Sequence, residues 1–153
     1  MDFMSIFNSE FNSLTNFKMK NDILSTNNFS SKFGLILSEN DAEMLIQAGA
    51  SSIKDNDRIE FGESATIKII NKFLQSSYIS QDNYAETIAG LIDVFYTAKD
   101  ECYDMLSDEE LIDIMFDFFE VESGGSLEIL QNRDLDLLCR KIRSEALGIT
   151  YDD

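Results

Sequence analysis

The chain has no histidine, no proline and no tryptophan, only two cysteines, and few bases for its length. Each shortage removes a class of function. Without histidine the commonest general base and the commonest metal ligand are missing. Ser-His-Asp and Cys-His catalysis are excluded within this chain, as is any His-ligated zinc or di-iron site. Cys102 and Cys139 cannot build a four-thiolate site by themselves. Both fall on apolar helical stripes, where free cysteine behaves as a small hydrophobe. A reduced, cytoplasmic chain is therefore expected, with a disulfide between two packed helices as the alternative. Without proline, slow X-Pro isomerisation cannot limit folding. No apolar run is long enough to span a bilayer, and the N-terminus lacks a basic region followed by an apolar core, so no secretory signal is expected.

Basic residues are the other shortage. Twelve Lys and Arg stand against 29 Asp and Glu, for a net charge of −17. Direct nucleic-acid binding and anionic membranes are disfavoured, because both need a basic patch. Solubility is the plainest account of the acidity, and a basic partner the sharper one.

At 153 residues with ordinary hydrophobic content, one domain with one core is expected. The organising stretch is Gln81 to Leu106. Tyr84, Ile88, Leu91, Phe95, Ala98, Cys102 and Met105 recur in steps of four and three, which places them on one helical face. Ala85, Ile92, Tyr96, Tyr103 and Leu106 widen the stripe, as expected of a central helix with neighbours on both sides. Its other face is acidic: Asp82, Glu86, Asp93, Asp100, Glu101 and Asp104.

The remaining pattern is also helical. Phe3, Phe7, Phe11, Leu14 and Phe17 predict an amphipathic helix over residues 2–18. Its polar face of Ser and Asn is wrong for anionic lipid, so docking on the core is expected. Residues 19–31 read as a polar connector, with room for a short helix ending at Gly34. Ser38 with Asp41 predicts a helix start, and Ser107 with Glu110 a full capping box. Ser80 is the expected cap of the central helix and Ser126 that of a later one. Residues 58–61 read as a brief extended piece, residues 63–75 as a helix with Lys68 and Lys72 outward, and Asn132 as a kink. The fold class is all-α: a compact single-domain bundle of about six or seven helices around the long helix 81–106. The chain divides into residues 1–32 (helix and connector), 33–147 (helical core) and 148–153 (tail).

Several strings together carry a resemblance: Phe33-Gly34-Leu35, Leu37-Ser38, Asp41-Ala42, Ile59-Glu60-Phe61-Gly62, Tyr84-Ala85-Glu86-Thr87, Phe95-Tyr96, Leu106 to Ile112 and Gly125-Ser126-Leu127-Glu128. Over residues 33–143 the chain resembles an uncharacterised bacterial domain family of acidic helical proteins from Gram-positive anaerobes. The resemblance implies a bacterial, cytoplasmic, helical protein and supplies no activity, cofactor or site residue.

From Asp100 to Glu122 the chain carries ten carboxylates and no Lys or Arg. If helical, this tract has a carboxylate every ~3.4 Å of axis, comparable with the ~3.4 Å phosphate spacing of one DNA strand. A solvated face is the bland account of such a run. The functional reading is a non-enzymatic interaction module that binds a basic surface of a partner protein, with nucleic-acid mimicry or inhibition as one form of it. Its contact residues would be Asp100, Glu101, Asp104, Asp108, Glu109, Asp113, Asp117 and Glu120. No catalytic residue, cofactor or metal ligand is assigned. The alternatives are a carboxylate enzyme or divalent-metal protein, and a homo-oligomer formed through the N-terminal helix. Motifs for phosphate, dinucleotide or nucleophile-elbow chemistry are absent.

Overall fold

The computed structural model describes residues 3–59 and 65–148, and of residues 3–13 the backbone alone. The side chains of Phe3, Phe7 and Phe11, half of the extended piece expected at 58–61, and nearly all of the tail lie outside the described residues. The order is α1 (Phe3–Ser25), α2 (Asn27–Ser30), a 3-10 turn (Ser31–Phe33), α3 (Glu39–Asp55), α4 (Ala65–Phe73), α5 (Tyr84–Glu101), α6 (Asp108–Glu120), α7 (Leu127–Ile129), a π-helical segment (Leu130–Leu135) and α8 (Asp136–Ala146). The protein is an all-α single-domain bundle, and among the described residues six of these helices have nine residues or more.

α5 is the centre, packed against α3, α4, α6 and α8. Tyr84, Ile88, Leu91, Phe95, Ala98 and Cys102 are all buried, as their spacing predicts, with Ile92 and Tyr96 beside them. The stripe fails at its end: Tyr103 and Met105 are exposed. α5 stops at Glu101 because Tyr103 and Asp104 both take left-handed backbone (φ 55° and 56°), which turns the chain out of the helix before Met105 can reach the core. Neither residue is glycine, so nothing local announces the turn. At the other end Asn83, not Ser80, occupies the N-cap. Its Oδ1 accepts a hydrogen bond from the Ser80 amide at 2.9 Å, closing a turn before the helix begins.

The other caps are local and match their sequence signals. Ser38 Oγ accepts from the Asp41 amide and the Asp41 carboxylate accepts from the Ser38 amide. Ser107 and Glu110 repeat this at α6, with three acids in the first turn facing the positive end of the helix dipole. Ser126 Oγ accepts from the Ile129 amide. The kink near Asn132 is a π segment. Leu130 and Leu135 are both buried, and five residues apart they would diverge on an α-helix; wider i to i+5 turns bring them to the same side.

Two expectations for the N-terminal region are corrected. Residues 19–25 are helical rather than a connector, since α1 runs on to Ser25; the short helix expected to end at Gly34 is present as α2 and the 3-10 turn after it. Polarity here marks the outer face of a docked helix, whose inner face is Met19, Ile23 and Leu24 against the core. Lys20 adds a 3.0 Å ion pair to Glu43 on α3. Leu14 and Phe17, expected to dock, are instead about two-thirds exposed. The helix meets the bundle through its C-terminal turns, at Met19, Ile23 and Leu24.

Candidate functional site

The acidic tract folds into two separate surfaces. α6 presents Asp108, Glu109 and Asp113 toward α4, whose Lys68 and Lys72 point at them across the interhelix groove. Lys68 Nζ lies 2.9 Å from Glu109 and 3.8 Å from Asp108, and Lys72 Nζ lies 3.0 Å from Asp113. Lys72 also sits 5.2 Å from the centre of the Phe116 ring, a cation–π contact. The lysines expected to point outward therefore line a cross-helix ladder. Its pairs are half-exposed and each contributes roughly 0–1 kcal/mol.

Lys99, from the last turn of α5, is only 8 % exposed. Its ammonium lies 2.9 Å from Asp108 and 3.9 Å from Asp104, and donates to the Leu106 carbonyl at 2.8 Å. Arg58 grips Asp104 with both guanidinium nitrogens, at 2.6 and 3.2 Å. That bidentate hydrogen bond, with the Arg58 and Lys99 charges, holds the Asp104 carboxyl below its ordinary value of 3.8 against the opposing effect of burial. Glu120 is tied to the α4–α5 connection: Ser76 Oγ donates to its Oε1, and the Ser77 amide and hydroxyl donate to its Oε2 at 3.1 and 2.7 Å. Burial pushes this carboxyl up, but the Ser76 and Ser77 hydrogen bonds outweigh it and its pKa is lowered.

Five of the eight carboxylates expected at a partner surface are thus engaged inside the chain: Asp104, Asp108, Glu109, Asp113 and Glu120. Asp100 and Asp117 are exposed and form no ion pair among the described residues. Glu101 is half-buried, and burial and the Asp136 carboxylate raise its pKa. Sequence reasoning missed the bases because Arg58, Lys68 and Lys72 arrive from other elements. Lys99 stands one residue before the tract, and its burial had no local signal.

Free negative charge also lies along the open edge of α5, where Asp100 is joined by acids from outside the tract. Glu86, Asp93 and Asp100 are exposed and seven residues apart, so they fall nearly in line, about 10.5 Å from one to the next. Among the described residues none of them is in an ion pair; Asp93 accepts a 2.9 Å hydrogen bond from Ser52 Oγ. Asp82 extends the line just before the helix. At that end Asp82 and Glu86 join Asp41, Ile36, Met44 and Ala85 around a shallow cavity of about 170 Å³. A larger open groove, about 490 Å³, lies between the 27–33 segment and α4, with Phe29, Phe33 and Leu74 among its lining residues. Among the described residues no three acidic or cysteine side chains are grouped to hold a metal ion, and no helix is long and apolar enough to cross a membrane.

A family model described as a family of unknown function, DUF6323, matches residues 22–148. The chain belongs to that family. The DUF6323 match begins at Asp22, in the last turn of α1, one residue before Ile23 enters the core at 1 % exposure. It takes in every helix from α2 to α8, both acidic surfaces and both cysteines, and leaves out all but the last turn of α1. No curated protein and no solved structure matches the chain.

The Arg58–Asp104 pair gives a test of the compensated surface. Arg58→Met is expected to cost about 1 kcal/mol at pH 7, a modest value because Asp104 is half-exposed. Asp104 has a folded pKa below its unfolded one, so its contribution is complete above the unfolded value of 3.8 and is lost as pH falls through the folded value. Urea unfolding of both proteins at pH 7, 4.5 and 3 should therefore show two separated curves that converge at the lowest pH. A gap that persists unchanged at pH 3 would assign the cost to packing of the Arg58 stem rather than to the ion pair.

Proposed function

We propose that this DUF6323 protein is a non-enzymatic interaction module of the bacterial cytoplasm, of the kind found in Gram-positive anaerobes, that binds a basic surface of a partner protein. The observation that carries the reading is the line of uncompensated carboxylates Asp82, Glu86, Asp93 and Asp100 on the open edge of α5. Asp108, Glu109 and Asp113 on α6 and Asp104 before it are held by lysines and an arginine of the same chain, whereas among the described residues these are in no ion pair. An electrostatic surface of this kind raises association rates and selects partners by sign more than it adds affinity.

The axial interval of about 10.5 Å suits a helix with Lys or Arg on every second turn. It is about three times the ~3.4 Å interval of phosphates along a DNA strand, so a basic helix is the better match than mimicry of nucleic acid. Ile36 and Met44, exposed beside Asp82 and Glu86, add an apolar contact at one end of the line.

The test is affinity capture from the host lysate with the wild type and with a variant carrying Asp82→Asn, Glu86→Gln and Asp100→Asn. Asp93 is spared because it bonds Ser52. A specific protein should be retained at 0.1 M salt and released toward 1 M, as the Debye length shrinks from ~10 to ~3 Å. The variant should bind it about tenfold more weakly, a loss of about 1.4 kcal/mol spread over three rim charges. Equal retention by a variant that folds normally would rule out this edge as the contact surface.

A further inference from the structure

The two cysteines lie 37 positions apart in sequence and meet in the core. Cys102 is the C-cap of α5 and Cys139 sits in the middle of α8, and both are fully buried. The packing of α8 on α5 makes the two thiols neighbours. Each also points at a carbonyl of the last turn of α5: Cys139 Sγ is 3.7 Å from Ala98 O, and Cys102 Sγ is 3.6 Å from Lys99 O.

The two thiols are not equivalent. Beyond Cys102 the backbone passes through the two left-handed residues Tyr103 and Asp104. The turn is closed by the Asp104 amide donating to Lys99 O at 2.9 Å and the Met105 amide donating to Cys102 O at 3.1 Å. Successive amides in such a turn form a concave nest suited to an anion. The neighbouring Cys139 thiol above all, with the Leu106 and Met105 backbone and the Lys99 charge, favours the Cys102 thiolate against the opposing effect of burial, whereas Cys139, beside Cys102 and near the Glu101 carboxylate, is kept protonated. A low-pKa thiol next to a resolving thiol is the arrangement used by redox-sensitive cysteines.

We propose that Cys102 and Cys139 are a redox modification site, closing reversibly into an intramolecular disulfide between the end of α5 and the middle of α8 when a hydroperoxide is present. The Cys102 thiolate attacks one peroxide oxygen and breaks the O–O bond, giving a Cys102 sulfenic acid and hydroxide. The hydroxide takes the Cys139 proton, forming water. The Cys139 thiolate then attacks the Cys102 sulfur, the S–S bond forms, and the hydroxyl group leaves, to end as a second water with a solvent proton. The two thiols lose two electrons and the peroxide gains them. A dithiol reductant reverses the reaction by exchange through a mixed disulfide.

Entry is through the 102–107 turn. Its Tyr103 and Met105 are already exposed. Left-handed backbone at two non-glycine residues makes this turn cheap to open relative to the helices it joins. Closing the bridge would pin the turn that carries Asp104 between Lys99 on α5 and Asp108 on α6, and with it the junction of the two acidic surfaces.

The experiment uses the full reduced chain, hydrogen peroxide and intact-mass analysis after alkylation in denaturant. The expected product is a monomer lighter by two hydrogens, with neither cysteine alkylated until a dithiol is added, and with a higher Tm because a long loop of the unfolded chain is closed. Cys139→Ser should instead accumulate a Cys102 sulfenic acid that dimedone traps. Cys102→Ser should leave Cys139 reacting about tenfold more slowly, or slower still, for want of thiolate. Two thiols still alkylatable after peroxide treatment that does oxidise the urea-unfolded chain would overturn the proposal. So would a disulfide found only between molecules, or a Cys139→Ser protein whose Cys102 stays unmodified.

Discussion

Phe73→Ala is expected to lower the unfolding free energy by about 4 kcal/mol, the middle of the range for truncating a buried aromatic. Phe73 is fully buried on α4. Its ring meets two rings of α6 edge to face, Phe116 at 5.3 Å and Phe119 at 5.6 Å, and Phe119 in turn meets Tyr78 at 5.9 Å. Alanine would remove the ring that fills the α4–α6 seam. The helices around it are fixed by other contacts, so the space would not collapse fully and a cavity cost adds to the lost burial. Each edge-to-face contact is worth about 0.5–1.5 kcal/mol beyond area, and two are lost together. Against a total stability of roughly 5–15 kcal/mol for a domain this is a large fraction. Phe73→Leu should cost only about 1–1.5 kcal/mol, because it keeps most of the volume. Urea unfolding followed by circular dichroism checks both. A loss below 2 kcal/mol for alanine would mean that α4 is not a cooperative part of the bundle. The same seam holds the Lys68 and Lys72 ladder, so its loss should also loosen the compensated acidic surface.

What could be read from the sequence was local or periodic. Ser38 with Asp41 and Ser107 with Glu110 cap their helices because the partners are three residues apart and need nothing else. The α5 stripe is legible from Tyr84 to Cys102 because burial follows the helical repeat. The same stripe was read on to Met105, since a helix broken by Tyr103 and Asp104 has no glycine or proline to mark it. Polar residues 19–25 hid a helix for the opposite reason: only Met19, Ile23 and Leu24 touch the core, too few to show a period among Asn, Lys and Asp. The candidate site divides in the same way. That the tract from Asp100 to Glu122 is acidic is plain in the chain, but which acids are neutralised depends on Arg58, Lys68 and Lys72, placed there by tertiary packing. The meeting of Cys102 with Cys139 follows from the crossing of α5 and α8, and no spacing of cysteines could state it.

Gly125→Ala is expected to destabilise by about 3 kcal/mol, with two physical causes that can be separated. The first is backbone. Gly125 has φ +82°, where a side chain costs about 1–2 kcal/mol. The second is space. A Cβ at this position would lie 2.5 Å from the Tyr78 ring and 2.9 Å from Tyr78 Cβ, closer than carbon atoms approach. Tyr78 cannot simply swing aside, because its ring is stacked edge-on against buried Phe119 and its amide bonds to Ser76 Oγ. Relieving the clash must move either the connection that holds Glu120 or the turn that closes α6, and overpacking of this kind costs about 1–3 kcal/mol. Gly124 is the internal control. It too has a left-handed backbone, at φ +57°, but a Cβ there would meet nothing within 4 Å. Gly124→Ala should therefore show the backbone cost alone, about 1 kcal/mol. Thermal unfolding should place Gly125→Ala about 6–12 °C below the wild type and Gly124→Ala about 2–4 °C below it. Equal losses at the two sites would show that Tyr78 yields without cost, and that the close approach of the 123–126 turn to the 76–79 connection is not what locks α5 and α6 together.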